Sequence, residues 1–107
     1  MGLDIILSEV KEVDVFSRGI THNLCPMAEE AGIYKHLWLP GELGVKQAKE
    51  LIEPLEKARA LLLSDRKRFE AFNAKNGWGT YDDFMLFIQD VLDACRDNPY
   101  AKVSADR

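Results

Sequence analysis

Apolar residues recur at steps of three and four between Val45 and Leu63, and this stripe constrains the fold more than any other feature. Its members are Val45, Ala48, Leu51, Ile52, Leu55, Ala58 and Leu62. Such spacing places all of them on one face of an α-helix, and that face must be buried against another element. Pro54 lies inside the pattern, but the stripe stays in phase on both sides of it. We therefore predict a kink rather than a stop.

A second stripe predicts a final helix from Tyr81 to about Arg96. Its apolar positions are Phe84, Phe87, Ile88, Val91, Leu92 and Cys95. Thr80 and Asp83 resemble a capping box at the start of this helix. Between the two long helices, Phe69 and Phe72 indicate a further short helix, which is followed by a loop.

The two ends of the chain carry the strand signals. The alternating apolar positions near the N-terminus are Leu3, Ile5 and Leu7. A second alternation covers Glu12–Phe16, and together the two runs predict a β-hairpin that reverses over Glu9–Lys11. Tyr100–Ser104 is the remaining strand candidate, and a third element is needed because a hairpin alone is marginal in water. We predict one α+β domain over residues 1–107, with a small antiparallel sheet packed on three to four helices.

The composition is that of a folded globular domain, and it disfavours several partner classes. Of the 107 residues, 47% are hydrophobic and 30% are charged, which differs from the balance of a disordered chain. The net charge is −4 and the basic run at Arg66–Arg68 is short, so duplex nucleic acid is not an expected partner. The apolar run Ala60–Leu63 is far shorter than the about 20 residues of a membrane span, so no membrane partner is expected.

The cysteines and histidines indicate the compartment and the metal chemistry. Cys25 and Cys95 both lie in helical patterns, so a disulfide scaffold is not expected and a reducing, cytoplasmic location is predicted. The N-terminus lacks the basic and apolar regions of a secretory signal. His22, His36 and the two cysteines do not have the spacing of a zinc site, so no metal and no cofactor is predicted.

Polar and aromatic residues are mixed most densely between Ser17 and Pro40. Thr21, His22 and Asn23 fall at a predicted helix start, where either Asn23 or Thr21 can serve as the cap. Helix N–H groups can hold an anion there, and Arg18 can add positive charge. The alternative is that Thr21 and Asn23 only cap the helix while His22 bonds a backbone carbonyl.

Two tryptophans give the candidate site its aromatic part. Trp38 and Trp78 lie beside proline or glycine in predicted loops, where an indole can stack on a ring. Tyr34 and Tyr81 can complete the same wall. The alternative is that the two indoles only cover the ends of the core.

One combination of residues runs through most of the chain. It consists of Ile20-Thr21-His22-Asn23-Leu24, Ala31-Gly32-Ile33-Tyr34, Leu37-Trp38 with Pro40, Phe72-Asn73, Asn76-Gly77-Trp78-Gly79 and Tyr81. In this combination the chain resembles a family of small, mostly uncharacterised proteins encoded by bacteria and phages, and the resemblance implies one intact domain. Leu39 stands where that pattern has a basic residue, and Gly41 stands where it has an acidic one. If the basic residue binds an anion, this chain has lost or moved that contact.

Three functional hypotheses follow. The first is a non-enzymatic binder of a small anionic or nucleotide-like ligand, and the phage association of the resemblance implies a decoy that sequesters a nucleotide immune signal. The second is a protein-interaction module, or an inhibitor of a host or phage protein, that docks through the aspartates of the last helix. The third is a small enzyme with His22 as general base. A small sheet also leaves edges that are compatible with a homo-oligomer.

Overall fold

An antiparallel sheet of three strands and five α-helices make up the described part of the computed structural model, residues 2–9 and 14–107. In chain order the elements are β1 (Gly2–Ser8), β2 (Asp14–Thr21), α1 (Cys25–Glu30), α2 (Tyr34–Trp38), α3 (Lys49–Ser64), α4 (Arg66–Glu70), α5 (Tyr81–Asp97) and β3 (Lys102–Asp106). Short 3₁₀ turns precede α1 at His22–Leu24 and follow α2 at Pro40–Leu43. The predicted α+β class is confirmed.

The sheet has the strand order β2-β1-β3, and both outer strands run antiparallel to β1. Leu3, Ile5 and Leu7 of β1 are fully buried, because strand alternation turns all three to the face that the helices cover. The exposed Asp4 and the half-buried Ile6 take the opposite face. The C-terminal strand thus lies beside the N-terminal one, as the sequence predicts.

β2 extends further than the sequence predicts. The alternation ends at Phe16, but the ladder continues to Thr21, with Arg18 opposite the buried Ile5. Polar and glycine residues separate the larger side chains of this half, which weakens the apolar period that would have indicated a strand. The predicted reversal and the start of the second strand, over residues 10–13, lie outside the described residues.

α3 starts at Lys49, four residues later than predicted, because the residues before it pair with the sheet. The backbone N–H of Val103 donates to the carbonyl of Lys46 at 3.0 Å. The Glu50 carboxylate then accepts the N–H of Gln47 at 2.7 Å and that of Lys46 at 2.8 Å, and these bonds lower the pKa of Glu50. From there the helix continues without interruption through its proline.

α5 has the predicted start. The Thr80 hydroxyl accepts the N–H of Asp83 at 3.2 Å, and the Asp83 carboxylate accepts the N–H of Thr80 at 3.1 Å, which completes the capping box. The apolar stripes of α3 and α5 face each other, and α5 also packs against β2. Their fully buried members include Leu51, Leu55, Leu62, Phe84, Phe87, Ile88 and Val91.

Candidate functional site

The chain passes from β2 into α1 through Thr21, His22 and Asn23. The Thr21 hydroxyl accepts the backbone N–H of Asn23 at 3.2 Å, so Thr21 rather than Asn23 caps this junction. α1 has only six residues and its N-cap, Leu24, makes no side-chain capping bond. A helix this short has little macrodipole. Any anion contact here therefore depends on side-chain donors rather than on the helix end.

His22 is joined to Trp38. The indole N–H of Trp38 donates to Nδ1 of His22 at 2.9 Å, and the Tyr34 ring stacks on Trp38 with centroids 5.4 Å apart and planes 18° apart. Trp38 is only 2% exposed. With both faces inside, it cannot stack on a ligand as predicted. Its position instead makes it the support that fixes the histidine ring.

The hydrogen bond from Trp38 determines which ring nitrogen of His22 remains as a donor. Because Nδ1 accepts a hydrogen bond from the indole N–H, the neutral imidazole carries its own hydrogen on Nε2. Nε2 makes no hydrogen bond within residues 2–9 and 14–107, and the side chain is only partly buried. His22 therefore presents a hydrogen-bond donor whose direction Trp38 sets.

Trp78 lies in the opposite environment, at 73% exposure on the loop before α5. Three hydrogen bonds fix this loop: Ala74 N–H to the Gly79 carbonyl at 2.9 Å, Gly77 N–H to the Ala74 carbonyl at 3.0 Å, and Trp78 N–H to the Asn76 side chain at 2.9 Å. The indole is thus exposed on a well-bonded loop.

Glycine is required at the end of this loop. Gly79 has φ = 119°, and a Cβ added there would lie 3.0 Å from the Thr21 methyl group and 3.1 Å from Leu24 Cγ. The loop backbone therefore lies directly against the β2–α1 junction. A larger residue would push the two segments apart.

A side-chain bond ties the two segments together. The Asn23 amide donates to the carbonyl of Trp78 at 2.9 Å. The backbone of Trp78, 55 residues from Asn23 in the sequence, thus lies beside the consecutive residues Thr21, His22 and Asn23, and all four residues are at least partly exposed. We refer to these four residues as the His22–Trp78 surface. From the sequence we expected both tryptophans to lie at one open site with the helix start. Trp38 is instead 2% exposed, and the bond to Trp78 is made through its backbone carbonyl.

Arg18 belongs elsewhere. Its neighbours in the β2 ladder place it on the face of the sheet that the helices cover, whereas Thr21 is on the opposite face. Its guanidinium bonds the Asp90 carboxylate at 3.0 Å and lies 5.9 Å from the centroid of the Phe87 ring. Arg18 thus fastens β2 to α5. It is not positioned as the predicted anion contact of the His22–Trp78 surface.

Tyr81 also makes its contacts inside the fold. It is 3% exposed, and its hydroxyl donates to the Leu62 carbonyl at 2.8 Å. The guanidinium of Arg66 lies 4.7 Å from the ring centroid. Since its ring and hydroxyl are both in use inside the fold, Tyr81 joins the ends of α3 and α5 rather than forming an open aromatic wall.

The aspartates of α5 are largely partnered. Asp82 pairs with Arg66 at 3.0 Å, Asp90 with Arg18 at 3.0 Å, and Asp93 with Arg96 at 3.7 Å. Asp83 belongs to the capping box. These pairs reduce the negative field that an acidic docking face would need.

The thiols are poorly placed for nucleophilic chemistry. Burial raises the pKa of Cys95 to about 12, and burial together with the nearby Glu29 raises that of Cys25. Both are free thiols.

Within the described residues, histidines, cysteines and carboxylates do not gather in groups of three that could hold a metal ion. No helix of the described chain has the length and apolar character needed to cross a bilayer.

Sequence reasoning missed a groove at the corner between α1 and α2. One cavity there has a volume of about 410 Å³, and a neighbouring one of about 580 Å³ extends along α3. Both are lined by Gly32 and His36. Nδ1 of His36 is buried and has no partner in the described structure, and burial lowers the pKa of this histidine. Gly32, shortly after the end of α1, could have indicated this groove from the sequence, because a residue without a side chain leaves room beside it.

Comparisons with protein-family models, with curated proteins and with solved structures find no match for this chain.

Proposed function

We propose that the protein is a non-enzymatic binding protein for a small ligand that combines a planar ring with an anionic group, as a nucleotide does. The ligand would bind on the His22–Trp78 surface. The observation that supports this most is the indole of Trp78, which is 73% exposed on a loop fixed by hydrogen bonds. Stacking of a base on an aromatic side chain contributes about 1–3 kcal/mol.

The neighbouring donors suit the anionic part of such a ligand. His22 offers Nε2–H in a direction set by Trp38, and the exposed Asn23 has a second amide hydrogen besides the one it gives to Trp78. Hydrogen bonds to a charged acceptor are about twice as strong as neutral ones. Burial raises the pKa of both thiols, so neither cysteine is a ready nucleophile, and the proposal is for binding alone.

The resemblance to phage-encoded proteins extends this proposal to a biological use. A protein that binds a nucleotide signal without consuming it can lower the free concentration of that signal, and we propose sequestration of an immune nucleotide as that use. This part depends on the resemblance, whereas the binding proposal depends on the residues of the surface.

Isothermal titration calorimetry against a panel of cyclic and linear nucleotides tests the binding proposal. We expect at least one nucleotide to bind, and Trp78→Ala to weaken that binding at least tenfold. Tyr100→Ala is the matched control, because Tyr100 is a similarly exposed aromatic, at 71%, outside the surface. Folded protein that gives no heat with any nucleotide contradicts the proposal, as does an equal loss in both variants.

A protein-interaction module is the second candidate. The same exposed indole favours it, since tryptophan on a rigid support is a common hot spot of protein interfaces. Pull-downs with wild-type protein, Trp78→Ala and Asp93→Lys would separate the possible docking sites. Loss of a partner only with Trp78→Ala would locate docking at the loop, and loss only with Asp93→Lys would locate it at α5. Identical partners for all three proteins would remove this candidate.

A further inference from the structure

A side-chain hydrogen bond joins α2 to the β2–α1 junction. The indole N–H of Trp38, a residue that is 2% exposed, donates to Nδ1 of His22 at 2.9 Å, across 16 residues of sequence. An indole has one donor and no acceptor, so this bond uses its whole hydrogen-bonding capacity. A buried N–H that loses its acceptor is costly. The burial of Trp38 therefore depends on a lone pair at Nδ1 of His22.

The bond is compatible with one charge state of His22. A neutral imidazole accepts at one ring nitrogen and donates at the other, whereas the protonated ring donates at both and accepts at neither. A second proton on the ring would therefore set two N–H groups against each other across 2.9 Å. Histidine ordinarily changes charge between about pH 5 and 8, so the bond is sensitive to pH in that range.

The charged and titratable groups of α1 and α2 have other partners or face another cavity. Tyr34 stacks on the indole with ring centroids 5.4 Å apart. Lys35 and His36 line the groove at the corner of the two helices, together with Glu29. Glu30 forms an ion pair with α4. None of them is bonded to the imidazole of His22.

The other segments at this junction also leave the imidazole without an ionic partner. On β2, Arg18 is bonded to Asp90 at 3.0 Å on the face of the sheet that the helices cover. In the loop before α5, Lys75 is exposed to solvent. Within residues 2–9 and 14–107, the ion pairs join lysine or arginine to carboxylates and do not include His22. The bond from the indole is thus the specific contact that opposes protonation of this ring.

We propose that His22 and Trp38 form a pH-sensitive latch, which is closed while His22 is neutral and open when His22 is protonated. In the open state the imidazolium turns away from the indole toward water, which it can reach because its side chain is only partly buried. Nε2–H then loses the direction that Trp38 gives it, and α2 loses its bond to the β2–α1 junction. The latch can be measured without a ligand, so it does not depend on the function proposed above.

Nuclear magnetic resonance of the ¹⁵N-labelled protein from about pH 8 to 5 tests the latch. We expect the Trp38 indole N–H resonance to shift with the same midpoint as the His22 ring. Its protection from hydrogen exchange, corrected for the intrinsic rate at each pH, should fall at least tenfold at the acid end. The indole of Trp78 is the internal control, because it is 73% exposed and should not follow this midpoint. The far-ultraviolet circular dichroism should stay unchanged over the same range.

Two variants separate the latch from a general effect of acid. His22→Asn keeps an acceptor that does not titrate, since the amide oxygen lies as many bonds from Cα as Nδ1 does. We expect the Trp38 indole to stay protected in this variant and its resonance to become independent of pH. His36→Gln removes the second histidine of the chain and should leave the Trp38 titration unchanged. If His22→Asn fails to fold, the wild-type titration and His36→Gln still decide the question.

Three results would overturn the proposal. The first is a Trp38 indole resonance that stays constant while His22 titrates. The second is a pH dependence that persists in His22→Asn or disappears in His36→Gln. The third is loss of the circular dichroism signal with the same midpoint, because the acid transition would then be unfolding of the whole domain. Nucleotide binding at neutral pH is a separate measurement, so none of these results decides the function proposed above.

Discussion

The two tryptophans carry the same side chain and occupy opposite environments. Trp38 is 2% exposed, and its indole N–H is bonded to His22, whereas Trp78 is 73% exposed on a bonded loop. Both lie near proline or glycine in the sequence, which is why the sequence predicts the same loop environment for both. The difference lies in what each neighbouring segment packs against. Trp38 stabilises the fold and orients a histidine, and Trp78 is available to a partner.

The largest expected difference is that between truncating the buried indole and truncating the exposed one. Trp38→Ala should lower the free energy of unfolding by about 3–5 kcal/mol, because it removes a fully packed ring and the donor to His22. Trp78→Ala should change it by no more than about 0.5 kcal/mol, as is usual for exposed positions. Urea denaturation followed by circular dichroism measures both. Equal costs for the two variants would refute the contrast.

Substitutions at two glycines of the Trp78 loop should lower the free energy of unfolding by an intermediate amount. Both have positive φ, 78° at Gly77 and 119° at Gly79, but only at Gly79 would a new Cβ meet other atoms within 4 Å. Gly77→Ala should cost about 1–2 kcal/mol, the usual strain of a left-handed alanine. Gly79→Ala should cost more, because contacts with Thr21 and Leu24 add to the strain. Thermal unfolding of both variants checks the order, which would be wrong if Gly77→Ala were the more damaging.

The smallest expected effect concerns the second histidine. Burial lowers the pKa of His36 below its ordinary 6.5, so near this pH the unfolded chain binds more protons than the folded one. Stability should therefore rise with pH through that window and be lost progressively as pH falls below 6.5. His36→Gln should flatten this part of the curve. We would measure urea midpoints from pH 5 upward in both proteins, and parallel curves would contradict the assignment.

Most of the fold could be predicted from local patterns in the sequence. The apolar period located α5 and most of α3, and Thr80 with Asp83 marked the start of α5. These features work because they depend only on residues within a turn or two of one another. The late start of α3 escaped prediction for the opposite reason. Lys46–Ala48 leave the helical pattern by pairing with β3, more than fifty residues away in sequence.

The candidate site was predictable only in part. The sequence placed both tryptophans at one site with Thr21–Asn23, and the bond from Asn23 to the Trp78 carbonyl joins only Trp78 to this segment from outside. It also placed Arg18 and Tyr81 there, but pairing with Asp90 and with the Leu62 carbonyl occupies their polar groups elsewhere. A polar side chain is typical of a binding site and of a structural contact alike. Only the position of its partner distinguishes the two.

The sequence by itself determined which face of each long helix is apolar, where α5 begins, and that the two chain ends form one small sheet. Only the tertiary structure decided which tryptophan enters the core and which remains outside. Periodicity records which side chains avoid water, but an indole has both a large apolar surface and a polar N–H and is stable in either place. Whether the indole is buried depends on whether an acceptor such as His22 Nδ1 lies within reach of its N–H inside the fold, and periodicity does not record that contact.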